Sequence, residues 1–325
     1  MYGYFKNLLL ISQLIAMKTH KFKYNWTLKD AEFTKDKGTV FSCFACGGGS
    51  TMGYKLAGFD VIGCNEIDPK MMDAYIVNHN PKYSFLEPIQ TFKNRKDLPK
   101  ELYNLDILDG SPPCSSFSMA GNREKDWGKE KKFREGQAEQ ILDTLFFDFI
   151  DLAKRLKGIL LGDAKKYCAA IYEAFDKAGY YLDKWLLDAS KMGVPQRRER
   201  VFFIAIRKDL APQLPPGLDM FNNMPYLNME FNEELIYFKE IKDISLNIDR
   251  PLSKIVLRLW KNRKKQDTGL QFASGRLDGK PNNFFSRVFA KDDLVLNTIL
   301  GSDFTTVFND PRYLNDIEYC KAGSF

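Results

Sequence analysis

Short apolar runs of strand length alternate with helical segments between residues 39 and 207, and this alternation restricts the fold more than any other feature. The predicted elements follow in the order Thr39–Phe44 (strand), Ser50–Ala57 (helix), Phe59–Asn65 (strand), Pro69–Asn78 (helix) and a strand that begins at Leu105. Alternation of this kind favours an α/β fold with a doubly wound, mostly parallel, Rossmann-like sheet.

The same pattern continues with two further helices and two further strands. Asp143–Lys157 carries apolar residues at helical spacing, Ala164–Gly179 is a second predicted helix, and Tyr181–Leu187 and Val201–Arg207 are predicted strands. Beyond Lys208 the sequence changes to prolines, asparagines and irregularly spaced aromatic residues. We therefore predict a boundary there, followed by a smaller and less regular domain.

A cysteine follows the strand that begins at Leu105. That strand runs into Gly110-Ser111-Pro112-Pro113 and then Cys114. Because glycine and paired prolines end both strands and helices, Cys114 is expected just past the carboxyl end of a strand, where ligands bind in open α/β sheets. The position suits a nucleophilic thiol, although a buried structural cysteine is the alternative.

A glycine-rich turn lies between the first predicted strand and the first predicted helix. It contains Gly47, Gly48 and Gly49, and Glu66 ends the second strand, where a carboxylate can bind a ribose diol. An NAD-dependent oxidoreductase and an S-adenosylmethionine-dependent enzyme both need this pair, so these residues alone leave both classes open. The nearby Cys-x-x-Cys has no second pair or neighbouring histidine, which predicts a structural role and no metal site.

A basic segment is present in the second half of the chain. Residues 250–265 include seven basic side chains and Trp260 but no acidic one. Such a segment is either a solvated helix face or a surface that contacts phosphates. The net charge of +6 permits a polyanionic partner without requiring one, because it is small against 48 basic and 42 acidic residues.

Several ordered motifs resemble those of the DNA (cytosine-5)-methyltransferases. Ser111–Ser118 resembles their catalytic Pro-Cys motif, Phe44–Gly53 their first motif, and Asn65–Asp68 their second. Gly193–Arg200 is similar to their Gln-x-Arg-x-Arg motif, and Pro311–Glu318 is more weakly similar to their ninth motif. These matches extend from the first predicted strand nearly to the end of the sequence.

The resemblance implies methyl transfer from S-adenosyl-L-methionine to C5 of a flipped-out cytosine in a specific sequence of double-stranded DNA, with S-adenosyl-L-homocysteine as product. It implies that the Cys114 thiolate adds to C6, that Arg198 orients the base, and that Gln196 and Arg200 brace the site. The implied cofactor contacts are Phe44, Gly48, Gly49, Glu66, Ile67 and Leu145. The expected DNA contacts are Ser118, Arg258, Lys261, Arg263, Lys264 and Lys265.

The chain departs from the family pattern at four places. Cys46 replaces a usual glycine, Pro88 replaces an aspartate that meets the adenine amino group, and the sequence ends before a final Asn-containing motif. The Glu-Asn-Val motif, whose glutamate contacts N3 of cytosine, is also missing, because Lys157 is followed directly by Gly158. A catalytically silent DNA-binding relative is therefore an alternative.

The missing motif also predicts a missing strand. Ile159–Leu161 is a poor substitute for a central parallel strand, since such a strand holds neighbours on both edges. We therefore expect the Lys157 carbonyl and the Gly158 nitrogen to be far apart, with no strand beside the one that ends at Gly110.

The expected organisation is an N-terminal extension (1–38), a catalytic cofactor-binding domain (39–207), a target-recognition domain (208–305) and a return segment (306–325). Six cysteines without framework spacing predict a reducing, cytoplasmic setting. The apolar stretch Leu8–Met17 is too short to span a bilayer and is expected to be a packing helix. We expect a monomer on DNA without a membrane partner; a cognate restriction endonuclease is not inferable from the sequence.

Overall fold

The computed structural model describes residues 20, 26, 30–112, 144–156, 159–162, 168–217, 223–243, 251–279, 287–299 and 305–324. Four sequence predictions lie outside these residues: the positions of Cys114 and Ser118, the helix at Leu8–Met17, and the distance across the Lys157–Gly158 bond. The chain divides into two compact units. The sheet unit contains Ala31–Leu186 and Arg200–Met229, and the second unit contains Met1–Asp30, Leu187–Glu199 and Glu230–Phe325.

Seven strands form one sheet. They are β1 (Thr39–Cys43), β2 (Asp60–Glu66), β3 (Tyr83–Leu86), β4 (Ile107–Gly110), β5 (Ile159–Gly162), β6 (Tyr180–Asp188) and β7 (Glu199–Arg207). Their order in the sheet is β3-β2-β1-β4-β5-β7-β6, with parallel pairing from β3 to β5 and antiparallel pairing between β5 and β7. The predicted α/β, mostly parallel fold is confirmed.

Among the described residues, five helices accompany this sheet; four lie close to predicted positions, and the short α3 was not predicted. They are α1 (Gly49–Leu56), α2 (Pro69–His79), α3 (Ile89–Phe92), α4 (Leu145–Leu156) and α5 (Cys168–Lys177). Asp68 caps α2 by accepting hydrogen bonds from the backbone N–H groups of Lys70 and Met71, and Pro69 occupies the first helical position. The apolar face of α4 is buried against the sheet. It lies so close to Gly110 that a Cβ there would be 2.5 Å from the Phe149 ring.

The expectation that no strand lies beside β4 is wrong. Ile159–Gly162 forms β5, whose partners on β4 are Ile107, Leu108 and Asp109. Its other edge pairs with β7. A strand in a central position forms backbone hydrogen bonds with a neighbour on each side. These two sets of hydrogen bonds stabilise a four-residue apolar segment whose own strand propensity is weak. The strand position is therefore filled, although the Glu-Asn-Val sequence is absent.

The second unit is built from short elements. They are α6 (Phe238–Ile241), α7 (Lys254–Lys261), α8 (Leu270–Asp278), α9 (Asp316–Ala322), and the strands β8 (Phe289–Ala290) and β9 (Thr306–Val307), which pair in parallel. One apolar cluster joins α6 to α9, and a second joins α7 to α8. Within the described part of the chain, no helix has the length and apolar character needed to cross a bilayer.

Candidate functional site

The glycine-rich turn between β1 and α1 has an unusual backbone. Phe44 and Cys46 adopt positive φ angles of 54° and 50°, which are uncommon for residues other than glycine. Gly48 has a φ of 88°, and a Cβ there would lie 2.0 Å from Nε2 of His79, so only glycine fits. By contrast, a Cβ on Gly47 or Gly49 would meet nothing within 4 Å. This face of the turn is therefore open to a ligand.

Glu66 fastens the glycine-rich turn to the end of β2. Its Oε2 accepts a hydrogen bond from the Cys46 backbone N–H (2.7 Å), and its Oε1 accepts from those of Ile67 (2.8 Å) and Asp68 (2.9 Å). A carboxylate oxygen can accept two hydrogen bonds, so Oε2 keeps capacity for a ligand hydroxyl. The predicted position of Glu66 beside the turn agrees with this geometry.

The register of the sheet brings the turn and the Pro-Pro-Cys segment to one edge. Cys43, the last residue of β1, is the partner of Asn65 on β2 and of Gly110 on β4. Because these strands are parallel, Phe44, Glu66 and Ser111 all leave the sheet at the same level of its carboxyl edge. Cys114 follows three residues after Ser111 in the sequence.

The other predicted cofactor contacts differ in exposure. Leu145 is 1% exposed and belongs to the sheet unit's core, whereas Ile67 is half-buried. The Phe44 ring packs edge-on against Phe149, with ring centroids 6.3 Å apart. Pro88, where the family usually has an aspartate, directly precedes α3 and offers no side-chain hydrogen bond.

Two buried polar residues beside the turn were missed by sequence reasoning. His79 lies under Gly48, its ring 4.7 Å from that of Tyr75, and burial together with the Lys55 charge lowers the pKa of its imidazole. Asp109 lies one residue before the end of β4 and accepts a hydrogen bond from Ser42. A charged residue inside the apolar run of β4 was the available signal for Asp109; no sequence pattern pointed to His79.

Gln196 and Arg198 both contact the backbone of Ile299 within the second unit. The Gln196 side chain is buried; its Oε1 accepts from the Ile299 N–H at 3.0 Å, and its Nε2 donates to the Ala322 carbonyl at 3.2 Å. Arg198 donates to the Ile299 carbonyl at 3.3 Å. Gln196 and Arg198 are therefore both held by the backbone of Ile299. Arg200 lies at the start of β7 and belongs to the sheet unit.

The basic segment divides into engaged and exposed side chains. Arg258 pairs with Asp278 at 2.9 Å. The Arg263 guanidinium lies 3.5 Å from the centroid of the Trp260 ring and donates to the Phe308 carbonyl. Four lysines of the segment are exposed and form no ion pair among the described residues: Lys254, Lys261, Lys264 and Lys265. A partner that carries phosphates would therefore meet these lysines first.

The cysteine pair at the turn has two different environments. Cys43 is buried and Cys46 is exposed. Burial, with a contribution from the charge of Asp109, raises the pKa of the Cys43 thiol. In the described ranges, no three His, Cys, Asp or Glu side chains are grouped so that they could hold a metal ion.

Comparisons with known proteins agree with the motifs. The family model of the C-5 cytosine-specific DNA methylases matches residues 38–272. The chain is 36% identical over 172 residues to the type II methyltransferase M.FnuDI of Fusobacterium nucleatum, covering 53% of this chain and 47% of that protein. It is 28% identical over 279 residues to M.BspRI of Lysinibacillus sphaericus, covering 76% of this chain and 63% of that protein.

A solved structure shares the fold. It is described as a DNA modification methyltransferase encoded within a prophage (E. coli), and it matches with a TM-score of 0.55 and 18% identity over 87% of both chains. Among the curated relatives, the chain spans about half the length of M.FnuDI. Since the family model covers most of the sequence, the chain belongs to the C-5 cytosine-specific DNA methylase family.

Proposed function

We propose that this protein transfers a methyl group from S-adenosyl-L-methionine to C5 of cytosine in double-stranded DNA. The observation that carries the proposal is the carboxyl edge of the sheet. Three features lie at the same level of this edge: the open glycine-rich turn, Glu66, which is hydrogen-bonded to that turn, and the end of β4, which leads to Cys114. Family membership supports the same reaction.

The residues of the turn fit this cofactor. The open backbone at Gly47 and Gly49 admits close approach of the methionine portion, and Oε2 of Glu66 has the remaining acceptor capacity that a ribose hydroxyl needs. Phe44 and Ile67 would flank the adenine. When bound, S-adenosyl-L-methionine supplies the electrophilic methyl group.

The chemistry requires a nucleophile, because C5 of cytosine is not reactive by itself. In the proposed step the flipped base receives the Cys114 thiolate at C6, a C–S bond forms, and the electrons of the C5–C6 double bond move to C5. C5 would then take the methyl group as the S–CH3 bond of the sulfonium breaks and S-adenosyl-L-homocysteine leaves. A base would remove the C5 proton, the C5–C6 double bond would re-form, and the thiolate would leave by elimination. Arg198 would orient the base, and Gln196 would hold the segment that carries Arg198 through its hydrogen bond to Ile299. Arg200 would brace the site.

The domain roles belong to the same proposal. Residues 39–207 would bind the cofactor and perform catalysis, 208–305 would recognise the DNA target, and 306–325 would return toward the catalytic part. The protein would act as a monomer, with Ser118 and the basic segment contacting DNA.

A catalytically silent DNA-binding relative is the second candidate. The observation that favours it is β5, because Ile159–Gly162 occupies the strand position beside β4 without a Glu-Asn-Val sequence. Protonation or hydrogen bonding at N3 favours attack at C6, so a chain without the glutamate should react slowly. This candidate predicts cofactor binding without methyl transfer.

The test combines binding and turnover. Calorimetry with S-adenosyl-L-homocysteine, and with NAD as a comparison, measures which nucleotide the turn accepts. Transfer of labelled methyl groups to mixed-sequence DNA, followed by mapping of the modified base, measures the reaction. Methyl-labelled cytosine supports the main proposal, binding without label supports the silent relative, and selective NAD binding would contradict both.

Replacing Glu66 with glutamine is expected to weaken S-adenosyl-L-homocysteine binding by about tenfold or more, since charge-assisted hydrogen bonds to the turn and to the ligand are lost. Calorimetry measures the change. Asp106→Asn is the matched control, because Asp106 also accepts a backbone N–H, from Thr39, but at the opposite edge of the sheet. Equal affinities of Glu66→Gln and wild type would remove Glu66 from the cofactor site.

Replacing both Lys264 and Lys265 with glutamate is expected to weaken binding to all DNA sequences and to reduce the slope of log affinity against log salt by about two. Fluorescence anisotropy at several salt concentrations measures both. The double variant Lys154→Glu with Lys177→Glu changes the net charge equally on α4 and α5 and serves as control. An unchanged slope would assign the segment to a solvated face.

A further inference from the structure

Asp109 is a buried carboxylate whose partners come from two other elements. It is 6% exposed, and its Oδ2 accepts hydrogen bonds from Ser42 Oγ of β1 and Ser50 Oγ of α1, both at 2.8 Å. The Tyr54 hydroxyl of α1 donates to Oδ1 at 3.4 Å. These contacts use side chains that no part of the proposed chemistry employs.

The partners of Asp109 are neutral. Among the described residues no lysine or arginine pairs with it, and burial raises the pKa of its carboxyl while the three hydroxyl donors oppose that rise. A buried carboxylate without a cationic partner is an expensive way to stabilise a core, since apolar residues of similar volume would pack there without desolvation. The position therefore requires a reason other than stability.

The hydrogen bonds of Asp109 join two parts of the proposed site. Ser50 lies directly after Gly49 of the glycine-rich turn, and Ser42 lies two residues before Phe44. Asp109 itself precedes Gly110, where β4 leaves the sheet toward Pro112. One carboxylate thus holds the first turn of α1 against the strand that leads to Cys114.

We propose that Asp109 is a positioning residue that couples the glycine-rich cofactor turn to the strand exit carrying the Pro-Cys segment. Cofactor binding at the turn would then be transmitted through Ser50 and Asp109 to the chain that presents the thiol. This inference rests on the proposed function, because it assigns the turn to the cofactor and Cys114 to the nucleophile.

The test measures coupling in the full chain without requiring methyl transfer. The readouts are S-adenosyl-L-homocysteine affinity by calorimetry and the rate of Cys114 alkylation by iodoacetamide, followed by mass spectrometry with and without the ligand. In the wild type, saturating ligand should change the alkylation rate severalfold. In Ser50→Ala and Asp109→Asn, affinity should fall about five- to tenfold, and saturating ligand should leave the alkylation rate within about twofold of the ligand-free rate.

Thr51→Val is the matched control. Thr51 follows Ser50 on α1, is fully buried, and exchanges a 2.8 Å hydrogen bond with Tyr75 instead of Asp109. It should lower the unfolding temperature as Ser50→Ala does, yet keep the ligand-induced change at Cys114. If Ser50→Ala and Asp109→Asn also keep that change, Asp109 is structural only and the inference is overturned. A wild type that does not bind the ligand contradicts the proposed function itself and, with it, the coupling.

Discussion

Replacing Cys114 with serine is expected to abolish methyl transfer while leaving S-adenosyl-L-homocysteine affinity within about twofold of the wild-type value. The thiol acts on the base and contributes nothing to cofactor binding in the proposed mechanism. A serine hydroxyl is almost fully protonated near neutral pH and adds poorly to C6, whereas a thiolate is both accessible and strongly nucleophilic. Labelled methyl transfer and calorimetry on the same preparation measure the two effects.

Cys320→Ser is the matched control for this substitution. Cys320 is an exposed free cysteine on α9 of the second unit, so its replacement changes the thiol content equally without touching the strand exit at Gly110. Transfer by Cys320→Ser should equal that of the wild type. Sustained methylation by Cys114→Ser would show that another group attacks the base, and it would remove the central assignment of the proposed mechanism.

The sheet and its helices were predictable because their signals are local. The helix predicted at Asp143–Lys157 is α4, Leu145–Leu156, since its apolar residues repeat at helical spacing and its polar ends mark the limits. Glu66 was predictable for a related reason: a carboxylate that follows an apolar strand must lie at the sheet's edge. The carboxyl ends of β1 and β2 then bring it to the glycine-rich turn.

β5 was not predictable from its own residues. Ile159–Gly162 is short and lacks a distinctive pattern, and it becomes a strand because β4 and β7 supply hydrogen-bonding partners on both sides. The same reason applies to Asp109. Its partner Ser42 is 67 residues away in sequence, so the contact exists only after β1 and β4 have paired. Non-local pairing therefore creates the features that sequence reasoning misses.

Replacing Glu318 with alanine is expected to destabilise the second unit by about 3–5 kcal/mol, because it removes the bidentate partner of a buried arginine. Glu318 is fully buried, and its carboxylate accepts hydrogen bonds from both terminal nitrogens of Arg312, each at 2.7 Å. Its oxygens also accept the backbone N–H groups of Asn315 and Asp243. The hydrogen bonds to Glu318 raise the pKa of the Arg312 guanidinium. A guanidinium stays protonated in proteins even without such a partner, so the arginine keeps its charge when Glu318 is removed.

Urea unfolding, followed by tryptophan fluorescence, measures the loss for Glu318→Ala. Trp260 reports on the same unit, since its indole donates to the Val307 carbonyl. Glu173→Ala is the control, because it breaks an exposed ion pair with Lys177 one helical turn away and should change stability little. Glu318→Gln should fall between the two, since its single amide oxygen can still accept one of the two backbone N–H groups, whereas its amide nitrogen accepts nothing and the charge facing Arg312 is removed. A Glu318→Ala variant as stable as Glu173→Ala would mean that the 312–318 segment does not hold the second unit together, and its likeness to the family's ninth motif would then carry no structural role in this chain.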